Sequence, residues 1–402
     1  MNGDQMPVYL DNNATTRTDP SVVQAMLPFF TEQFGNASSA HAFGGEAAAA
    51  LKQARRSLQA LLGNAYDHEI VFTSGGTEAN NAAILSALAT QDGRDEIVTT
   101  SVEHSAVLAL VEQLATRGVK THIIPVDAHG WLDVEAFRCA LGPRTAIASI
   151  MWANNETGTI FPVEFLAGLA REAGALFHTD AVQAIGKLRV DLRDSAIDML
   201  SLSAHKLHGP KGMGALYLRK GTKFRPLIWG GSQERRRRGG TENIPGIVGL
   251  GRAAELAVER LEPERVRIGA LRDRLEQGIL HNGECLALGD VNNRLANTAN
   301  IAFDHLEGEA VVHHLNRAGI AVSLGSACSS GSMVPSHVLR AMQVPAWRMR
   351  GAVRFSLSRE TTVAEVDEVV CALSDIVARL RATSRESGAP PSYASQSREL
   401  SL

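Results

Sequence analysis

Short apolar runs alternate with amphipathic segments between Ser57 and Arg219, and this alternation is the dominant pattern of the chain. Helical patterns separate several runs that are rich in β-branched residues. Because strands joined by helices are buried on both faces of their sheet, the pattern predicts an α/β fold with a large domain built on a mostly parallel, seven-stranded sheet. The seven strand candidates are EIVFTS, EIVTT, THIIPV, TAIASIMW, ALFHTD, DMLSLS and GALYLR.

The pattern changes in the second half of the chain. A long helical stretch from about Ile244 to Leu280 leads into a region where strand and helix patterns mix, as in a smaller α+β domain. We predict a large domain over residues 16–260, a small domain formed by residues 1–15 and 261–382, and a disordered tail over residues 383–402. The tail is predicted to be disordered because it is rich in Ser, Pro and other polar residues.

Composition and charge narrow the classes of function. The 402 residues include 40 basic and 43 acidic side chains, and the net charge of -3 gives no global attraction to nucleic acid or anionic membranes. The Arg-rich stretch ERRRRGG could contact nucleic acid, but a solvated or interface loop fits this charge balance better. No apolar run is long enough to span a membrane. We therefore expect a soluble, cytoplasmic protein without nucleic-acid or membrane partners.

The four cysteines are far apart in the chain and form no C-x-x-C pair, so neither disulfides nor a zinc site is expected. The histidines show no ligand spacing either, and no metal site is predicted. Cys139 and Cys371 lie in apolar helical patterns and are expected to be small buried side chains. Cys328 lies instead in LGSACSSGSM, a stretch dense in Gly and Ser. Such a composition favours a mobile, exposed loop and makes Cys328 a candidate nucleophile.

Three polar clusters follow strand candidates, where open α/β sheets bind ligands. In the first, TSGGTEAN, Gly75 and Gly76 let backbone N–H groups approach a ligand, and Thr77 opens a helix whose N-terminus suits an anion. Alone, this cluster would fit an ordinary Gly-Gly turn with a Thr cap. In the second, HTDAVQAIGK, Asp180 ends an apolar strand and needs a cationic partner, unless it only caps the next helix. Gln183 follows with an amide that can reach a ring substituent.

The third cluster is SLSAHKLHGPKG. Ser203 and His205 supply donors for a phosphate, and Lys206 or Lys211 supplies an amine, since spacing alone does not choose between the two lysines. A lysine that can bind a cofactor aldehyde covalently, an acidic partner for a pyridinium nitrogen and a phosphate cradle are together typical of pyridoxal-phosphate enzymes. The three clusters at the ends of strands in one sheet therefore predict pyridoxal 5'-phosphate as the cofactor.

Motifs along nearly the whole chain, from Tyr9 to Arg359, resemble those of cysteine desulfurases of the NifS type. These enzymes belong to the class V aminotransferase family of fold-type I pyridoxal-phosphate enzymes. The resemblance implies removal of sulfur from L-cysteine, with L-alanine and an enzyme-bound persulfide on Cys328 as the products. The stretches that carry the resemblance are YLDNNATT, FGNASSAHAFG, FTSGGTEANN, EHSAV, MWANNETG, HTDAVQAIGK, HKLHGPKG, RRGGTEN, GSACSSGSMVPSHVLRAM and VRFSLSR.

The resemblance also implies partners. It indicates a homodimer that passes sulfur to an acceptor protein, such as a scaffold for iron–sulfur clusters. The extended similarity favours a supply of sulfur for nitrogenase metallocluster assembly over a general housekeeping role. These partner assignments come from the resemblance and not from chemistry at the site.

Individual residues receive roles from the same resemblance. Lys206, and not Lys211, would bind the cofactor aldehyde, with Asp180 on the ring nitrogen and Gln183 on the ring hydroxyl. His104 would stack on the pyridine ring, and it is the candidate base for the Cys328 thiol. The remaining assignments are Gly76, Thr77, Ser203 and His205 for the phosphate, Asn155 and Arg354 for the substrate carboxylate, Asn155 also for the cofactor, and Thr241 for the phosphate in the other subunit's site.

Two other classes of function fit parts of the sequence. An aminotransferase or a selenocysteine lyase could use the same scaffold, but transamination needs no thiol nucleophile such as Cys328. A non-catalytic scaffold that carries sulfur or iron–sulfur clusters would need neither Lys206 nor Asp180. The sequence therefore favours a cysteine desulfurase.

Overall fold

A computed structural model of the chain describes residues 7–281, 283–324 and 336–386. Strands and helices alternate through most of these ranges. The strands are β1 (Val8–Tyr9), β2 (Ile70–Thr73), β3 (Glu96–Thr100), β4 (Lys120–Ile124), β5 (Thr145–Ser149), β6 (Leu176–Asp180), β7 (Met199–Ser203), β8 (Gly214–Leu218), β9 (Cys285–Ala287), β10 (Thr298–Phe303), β11 (Ile320–Ala321) and β12 (Ala352–Ser356).

The helices differ widely in length, from single turns to the 37 residues of the longest one. Two short 3₁₀ turns, Asp67–Glu69 and Ala204–Lys206, precede and follow strands of the large sheet. The helices are α1 (Pro20–Met26), α2 (Pro28–Thr31), α3 (Ala42–Leu61), α4 (Gly76–Thr90), α5 (Ser105–Ala115), α6 (Val134–Ala140), α7 (Val163–Glu172), α8 (Gln233–Arg236), α9 (Ile244–Leu280), α10 (Gly308–Arg317), α11 (His337–Ala341), α12 (Ala346–Met349) and α13 (Val363–Glu386).

The seven predicted strands form one seven-stranded sheet in the order β2-β8-β7-β6-β5-β3-β4. Strand β8 is antiparallel to both of its neighbours, and the other pairs in the sheet are parallel. The prediction of a mostly parallel seven-stranded sheet is confirmed. Because β6 and β7 are parallel neighbours, their carboxyl ends at Asp180 and Ser203 lie at the same edge of the sheet.

Both faces of the large sheet are covered along most of its strands, which explains why these strands are rich in apolar residues. The edge strand β4 is partly exposed. On one face, Ile97 and Ile147 pack in a cluster with residues of α4 and α5. On the other face, Leu200 and Leu202 of β7 belong to a larger cluster that also includes residues of α3, α7 and the first half of α9. Strand β7 is buried at every position, so the polar groups at its end are held on a fixed support.

A second, smaller core lies around an antiparallel sheet of order β12-β10-β9 and the parallel pair β1–β11. It also contains residues of α10, α13 and the second half of α9. The long helix α9 therefore serves both cores, with Leu250 in the first and Leu275 in the second. The predicted domain boundary at residue 260 falls inside this helix and stays a prediction.

One expectation about burial is wrong. Cys139 and Cys371 lie in α6 and α13, but both are exposed. The buried residues Phe137 and Leu373 lie two positions away in these helices. Two residues correspond to a rotation of about 200° around a helix, so each cysteine lies on the outer face.

The end of the chain differs in part from the prediction. Helix α13 continues to Glu386, so it includes the first residues of the segment predicted to be a disordered tail. The rest of that segment, residues 387–402, lies outside the described residues. Within the described ranges, no helix is both long enough and apolar enough to cross a membrane.

Candidate active site

A cavity of about 320 Å³ opens at the carboxyl ends of β6 and β7. Every predicted site residue lines it except Thr241 and Cys328. Thr241 is exposed on the segment before α9, and Cys328 lies outside the described residues. The lining residues are Asn13, Ala14, Gly76, Thr77, Asn80, His104, Ala106, Met151, Ala153, Asn155, Asp180, Val182, Gln183, Ser203, His205, Lys206 and Arg354.

The N-terminus of α4 forms one end of this cavity. Gly75 is the N-cap residue and has a φ of 156°, a region that favours glycine. A Cβ atom on Gly76 would lie 2.6 Å from Cγ2 of Val182, so the backbone passes close to the cavity wall. Thr77 is the second residue of the helix and not its cap, so the alternative of a simple Thr cap is wrong. Backbone N–H groups at a helix N-terminus suit an anion such as a phosphate.

Asp180 lies at the end of β6 and is held by two donors. The Nδ2 group of Asn80 donates to its Oδ2 at 2.6 Å, and the backbone N–H of Val182 donates to its Oδ1 at 3.0 Å. The alternative that Asp180 caps a helix is wrong, because the segment after it forms turns instead of a helix. Two donated hydrogen bonds stabilise an ionised carboxylate. Asp180 is thus prepared to face a cation in the cavity.

Lys206 ends the 3₁₀ turn that follows β7. Its Nζ donates to the backbone carbonyl oxygens of Asn13 and Ala14, each at 2.5 Å. Lys211 is exposed and does not line the cavity. Of the two lysines that spacing alone could not distinguish, only Lys206 is placed to bind a ligand there. A single amine therefore lies beside Asp180 in this cavity.

His205 adds a neutral hydrogen-bonding group near Lys206. Burial, and to a smaller extent the positive charges of Lys206, Lys211 and Lys187, lower the pKa of His205 to about 4. The ring Nδ1 lies 3.1 Å from Oγ1 of Thr15. At neutral pH, His205 is therefore an uncharged imidazole that can donate one hydrogen bond to a phosphate.

Arg354 brings a positive charge into the cavity from β12 of the small domain. Its guanidinium is almost fully buried and pairs through Nη2 with Oδ1 of Asp11 at 2.8 Å. Its Nη1 donates to the backbone carbonyl of Asn155 at 3.0 Å. Among the described residues, its Nε has no hydrogen-bond partner. A guanidinium with a free donor can bind a carboxylate, which supports the predicted role of Arg354.

His104 is the N-cap residue of α5. Its Nδ1 accepts a hydrogen bond from the backbone N–H of Ala106 at 3.1 Å, which fixes the orientation of the ring. Because Nδ1 accepts this hydrogen bond, we assign the ring proton to Nε2. The ring therefore has one defined tautomer at the wall of the cavity.

Sequence reasoning missed two residues that line the cavity, Asn13 and Asn80, and two that hold lining residues in place, Asp11 and Lys187. Asn13 is the most connected of them: its Nδ2 donates to the carbonyl of Asn155 and to Oγ1 of Thr298. Its own carbonyl accepts from Lys206 and from Gln183. All four lie inside motifs that were noted only as whole stretches, so no residue-level signal pointed to them.

The cavity fits pyridoxal phosphate. It is lined by the amine of Lys206, the carboxyl group of Asp180 and the glycine-bounded N-terminus of α4. Within the described residues, the buried Oδ1 of Asn80 has no partner, although Asn80 lines the cavity next to Asp180. A buried acceptor without a donor is unfavourable unless a bound group or water satisfies it. We take this atom as an independent sign that the cavity is a binding site.

Comparisons with known proteins agree with this geometry. The family model "Aminotransferase class-V" matches residues 8–369. The chain is 84% identical to a cysteine desulfurase of Bradyrhizobium diazoefficiens, over 96% of this chain and 98% of the relative. It is 58% identical to the cysteine desulfurase NifS of Azotobacter vinelandii, over 93% of each chain. A solved structure titled NIFS-LIKE PROTEIN matches with a TM-score of 0.88 at 39% identity, covering 93% of this chain and 100% of that one.

The chain belongs to the class V aminotransferase family of pyridoxal-phosphate enzymes. Within that family it belongs to the cysteine desulfurases. The predicted family, fold class and cofactor are therefore confirmed. The roles of individual residues stay predictions, which the geometry supports to different degrees.

Proposed function

We propose that this enzyme removes sulfur from L-cysteine and leaves it as a persulfide on Cys328, with L-alanine as the second product. The observation that carries this proposal is the shared cavity of Lys206, Asp180 and Arg354. It joins an amine, a carboxylate for a ring nitrogen and a cation for a substrate carboxylate. An amino acid bound there has its amine and carboxylate engaged, which leaves its side chain as the reacting part.

Lys206 is proposed to hold the cofactor aldehyde and later to carry the substrate Cα proton on Nζ. When bound, pyridoxal phosphate supplies an electron sink for the negative charge that forms at Cα. Asp180, held by Asn80 and the backbone N–H of Val182, would face the ring nitrogen and favour its protonated form. Ser203, His205 and the start of α4 hold the phosphate.

Arg354 is proposed to bind the substrate carboxylate together with Asn155. The ion pair with Asp11 holds the guanidinium in place before the substrate arrives. Its unpartnered Nε marks a donor still to be satisfied, and a carboxylate would satisfy it. Binding of the substrate carboxylate by Arg354 orients the amino acid with its carboxylate toward the small domain.

Cys328 is proposed as the nucleophile. The C–S bond of the substrate breaks as an S–S bond to Cys328 forms, and the electron pair of the C–S bond remains on Cβ. That carbon takes up a proton, so L-alanine leaves and the sulfur stays on the enzyme. A free thiol with a pKa near ~8.5 is mostly protonated at neutral pH, so Cys328 needs a base.

His104 is proposed to be that base. Its Nδ1 is occupied by the N–H of Ala106. Before the ring can accept a proton from a thiol, one nitrogen must become available. Either Nε2 donates its proton to another group, or Nδ1 loses its hydrogen bond to Ala106. General base assistance of this kind typically contributes about 10²–10⁴-fold.

A homodimer is proposed because large apolar side chains stay exposed in the single chain. Phe30, Phe34 and Trp229 are 60%, 67% and 69% exposed. Trp229 lies in the same connecting segment as Thr241, the residue proposed to reach the phosphate in the partner's site. A mixed dimer of Lys206→Ala and Thr241→Ala chains should then contain one site with neither change. Recovery of cofactor affinity in that dimer supports the arrangement, and its absence contradicts it.

The physiological acceptor is proposed to be an iron–sulfur scaffold protein of the cytoplasm, with a dedicated role in nitrogenase metallocluster assembly. This rests on the 58% identity to the NifS protein of Azotobacter vinelandii. Crosslinking from Cys328 in a cell extract identifies the acceptor directly. Recovery of a housekeeping scaffold alone would contradict the dedicated role.

The test of the proposed reaction is Cys328→Ala. This variant should bind the cofactor, and its absorbance should respond to L-cysteine, yet it should form no persulfide and almost no sulfide. The matched controls are Cys139→Ala and Cys371→Ala, because both cysteines are exposed on the outer faces of helices. Sulfide release at the wild-type rate from Cys328→Ala, or a trapped persulfide on another cysteine, would overturn the proposal.

A further inference from the structure

Lys187 is the last residue of the stretch HTDAVQAIGK and does not line the main cavity. Its Nζ donates to Oε1 of Gln183 at 2.8 Å. Among the described residues, it forms no ion pair with a carboxylate. Placing a charged amine away from water without a carboxylate partner costs free energy. Packing alone therefore does not explain why a lysine lies at this position.

The surroundings of Lys187 disfavour its charge. Burial lowers its pKa to about 7, and the positive charges of Lys206 and Arg354 act in the same direction. Lys187 and Lys206 both line a small cavity of about 50 Å³. The other titratable or charged groups that line this small cavity are His208, Glu264, Arg265 and Arg359.

The two partners of the Gln183 side chain determine its orientation. The amine of Lys187 donates to Oε1 of Gln183, and the protonated form of this amine can only donate, so this form holds Oε1 toward Lys187. A backbone carbonyl can only accept, so Nε2 must face the carbonyl of Asn13, which lies 3.0 Å away. Both contacts require the same amide orientation. The second hydrogen of Nε2 is then the group that Gln183 offers to a ligand in the main cavity.

We propose that Lys187 is a positioning residue that fixes the Gln183 amide with its N–H toward the cofactor ring oxygen. The inference rests on the proposed role of Gln183 as the partner of the ring hydroxyl. A donor at that place favours the ionised ring oxygen, whereas the flipped amide would present a carbonyl oxygen and disfavour it. Lys187 therefore acts through Gln183, without touching the cofactor.

The experiment compares Lys187→Met with the wild type in two backgrounds of the holoenzyme, one with Gln183 and one with Gln183→Ala. The readout is the pH midpoint of the absorbance change of the bound cofactor, with the cofactor dissociation constant as a second measurement. In the Gln183 background, Lys187→Met should shift the midpoint to higher pH by about one pH unit, the size expected for one lost hydrogen bond. The dissociation constant should rise about fivefold.

In the Gln183→Ala background, Lys187→Met should add no further shift, because the amide that it positions is gone. Lys187→Arg, which keeps a donor, should restore the midpoint in the Gln183 background. An equal shift in both backgrounds would mean that Lys187 acts only through its charge and would overturn the inference. So would a wild-type midpoint in Lys187→Met.

The result for Gln183→Ala alone separates this inference from the proposed function. If that variant shifts the midpoint and Lys187→Met does not, only the positioning role is wrong. If Gln183→Ala leaves the midpoint unchanged, the role proposed for Gln183 is wrong, and the inference about Lys187 falls with it. Circular dichroism of each variant establishes that the comparison is made between folded proteins.

Discussion

The two halves of the cavity are built in different ways. The cofactor half consists of Asn80, Asp180, Gln183, Ser203 and Lys206. These residues lie at the ends of β6 and β7 or in the segments that follow β2, β6 and β7 of the large sheet. The substrate half consists of Asp11, Asn13, Asn155 and Arg354. It joins the N-terminal segment and a loop of the large domain to β12 of the small domain.

This difference determines what each half depends on. In the cofactor half, the order of strands in the sheet brings Asp180 and Ser203 to one edge, and the carbonyl of Asn13 accepts hydrogen bonds from Gln183 and Lys206. In the substrate half, Arg354 and Asp11 are 343 residues apart in the chain and meet because the N-terminal segment pairs with β12. Arg354 then reaches the large domain through the backbone carbonyl of Asn155. Changes in the cofactor half should therefore alter cofactor binding and absorbance. Changes in the substrate half should alter the KM for L-cysteine while the cofactor spectrum stays normal.

The largest expected effect is that of Lys206→Ala. It removes both the covalent attachment of the cofactor and the proposed carrier of the Cα proton, so turnover should fall by about 10⁴-fold or more. The control is Lys211→Ala, five residues further on and exposed, which should keep near-normal activity. Sulfide production by Lys206→Ala at a rate close to that of Lys211→Ala would contradict the assignment of the cofactor half.

Arg354→Lys should have the next largest effect and should affect only the substrate half. A lysine keeps the charge but loses the planar pair of donors, so kcat/KM should fall by roughly 10²-fold, mainly through KM. The absorbance of the bound cofactor should remain that of the wild type. Arg348→Lys is a matched control, because Arg348 also pairs with an aspartate of the small domain but lies outside the cavity. A changed cofactor spectrum in Arg354→Lys would show that the two halves are not separate.

Asn80→Ala should produce a moderate effect confined to the cofactor half. It removes the 2.6 Å hydrogen bond to Asp180, which should weaken cofactor binding by about tenfold. Asn81→Ala is the control, because Asn81 lies next to Asn80 on α4 but bonds to the backbone of Thr77 and Ala106. Equal cofactor affinity of the two variants in apoenzyme titrations would mean that Asn80 does not support Asp180.

The smallest effect concerns Glu103, which lies next to His104. Burial raises its pKa to about 8, with a smaller contribution in the same direction from the charge of Asp180. The folded protein therefore prefers the protonated acid. Stability from this preference is fully present below the pKa of the unfolded chain, near 4.5, and is lost as the pH rises to about 8.

Glu103→Gln mimics the protonated acid and tests this preference. Between these pH values the wild type should lose at most about 1.4 kcal/mol of unfolding free energy per pH unit because of Glu103, and the variant should not show this loss. Urea unfolding of the apoenzyme at pH 6 and pH 8 measures this. The stability of Glu103→Gln relative to the wild type should increase between the two values, and a constant difference would contradict a buried, protonated Glu103.

Most of the fold could be predicted from the sequence because the seven strands of the large sheet are short apolar runs with clear ends. The cofactor half could be predicted for the same reason, since Asp180 and Lys206 follow two of these runs directly. Asp11 and Asn13 could not be assigned, because their importance depends on contacts with Arg354, Asn155 and Lys206 that only the folded chain creates. The exposure of Cys139 was mispredicted because composition alone does not tell which face of a short helix is buried.

The covalent site of the cofactor tests the central claim most directly. The purified holoenzyme is treated with borohydride, which fixes the cofactor to its lysine, and the chain is then cut and its peptides are mapped by mass spectrometry. We predict one stable cofactor adduct, on Lys206, and unmodified Lys211 and Lys187. An adduct on either of these lysines, or a fully reduced holoenzyme with Lys206 unmodified, would contradict the account.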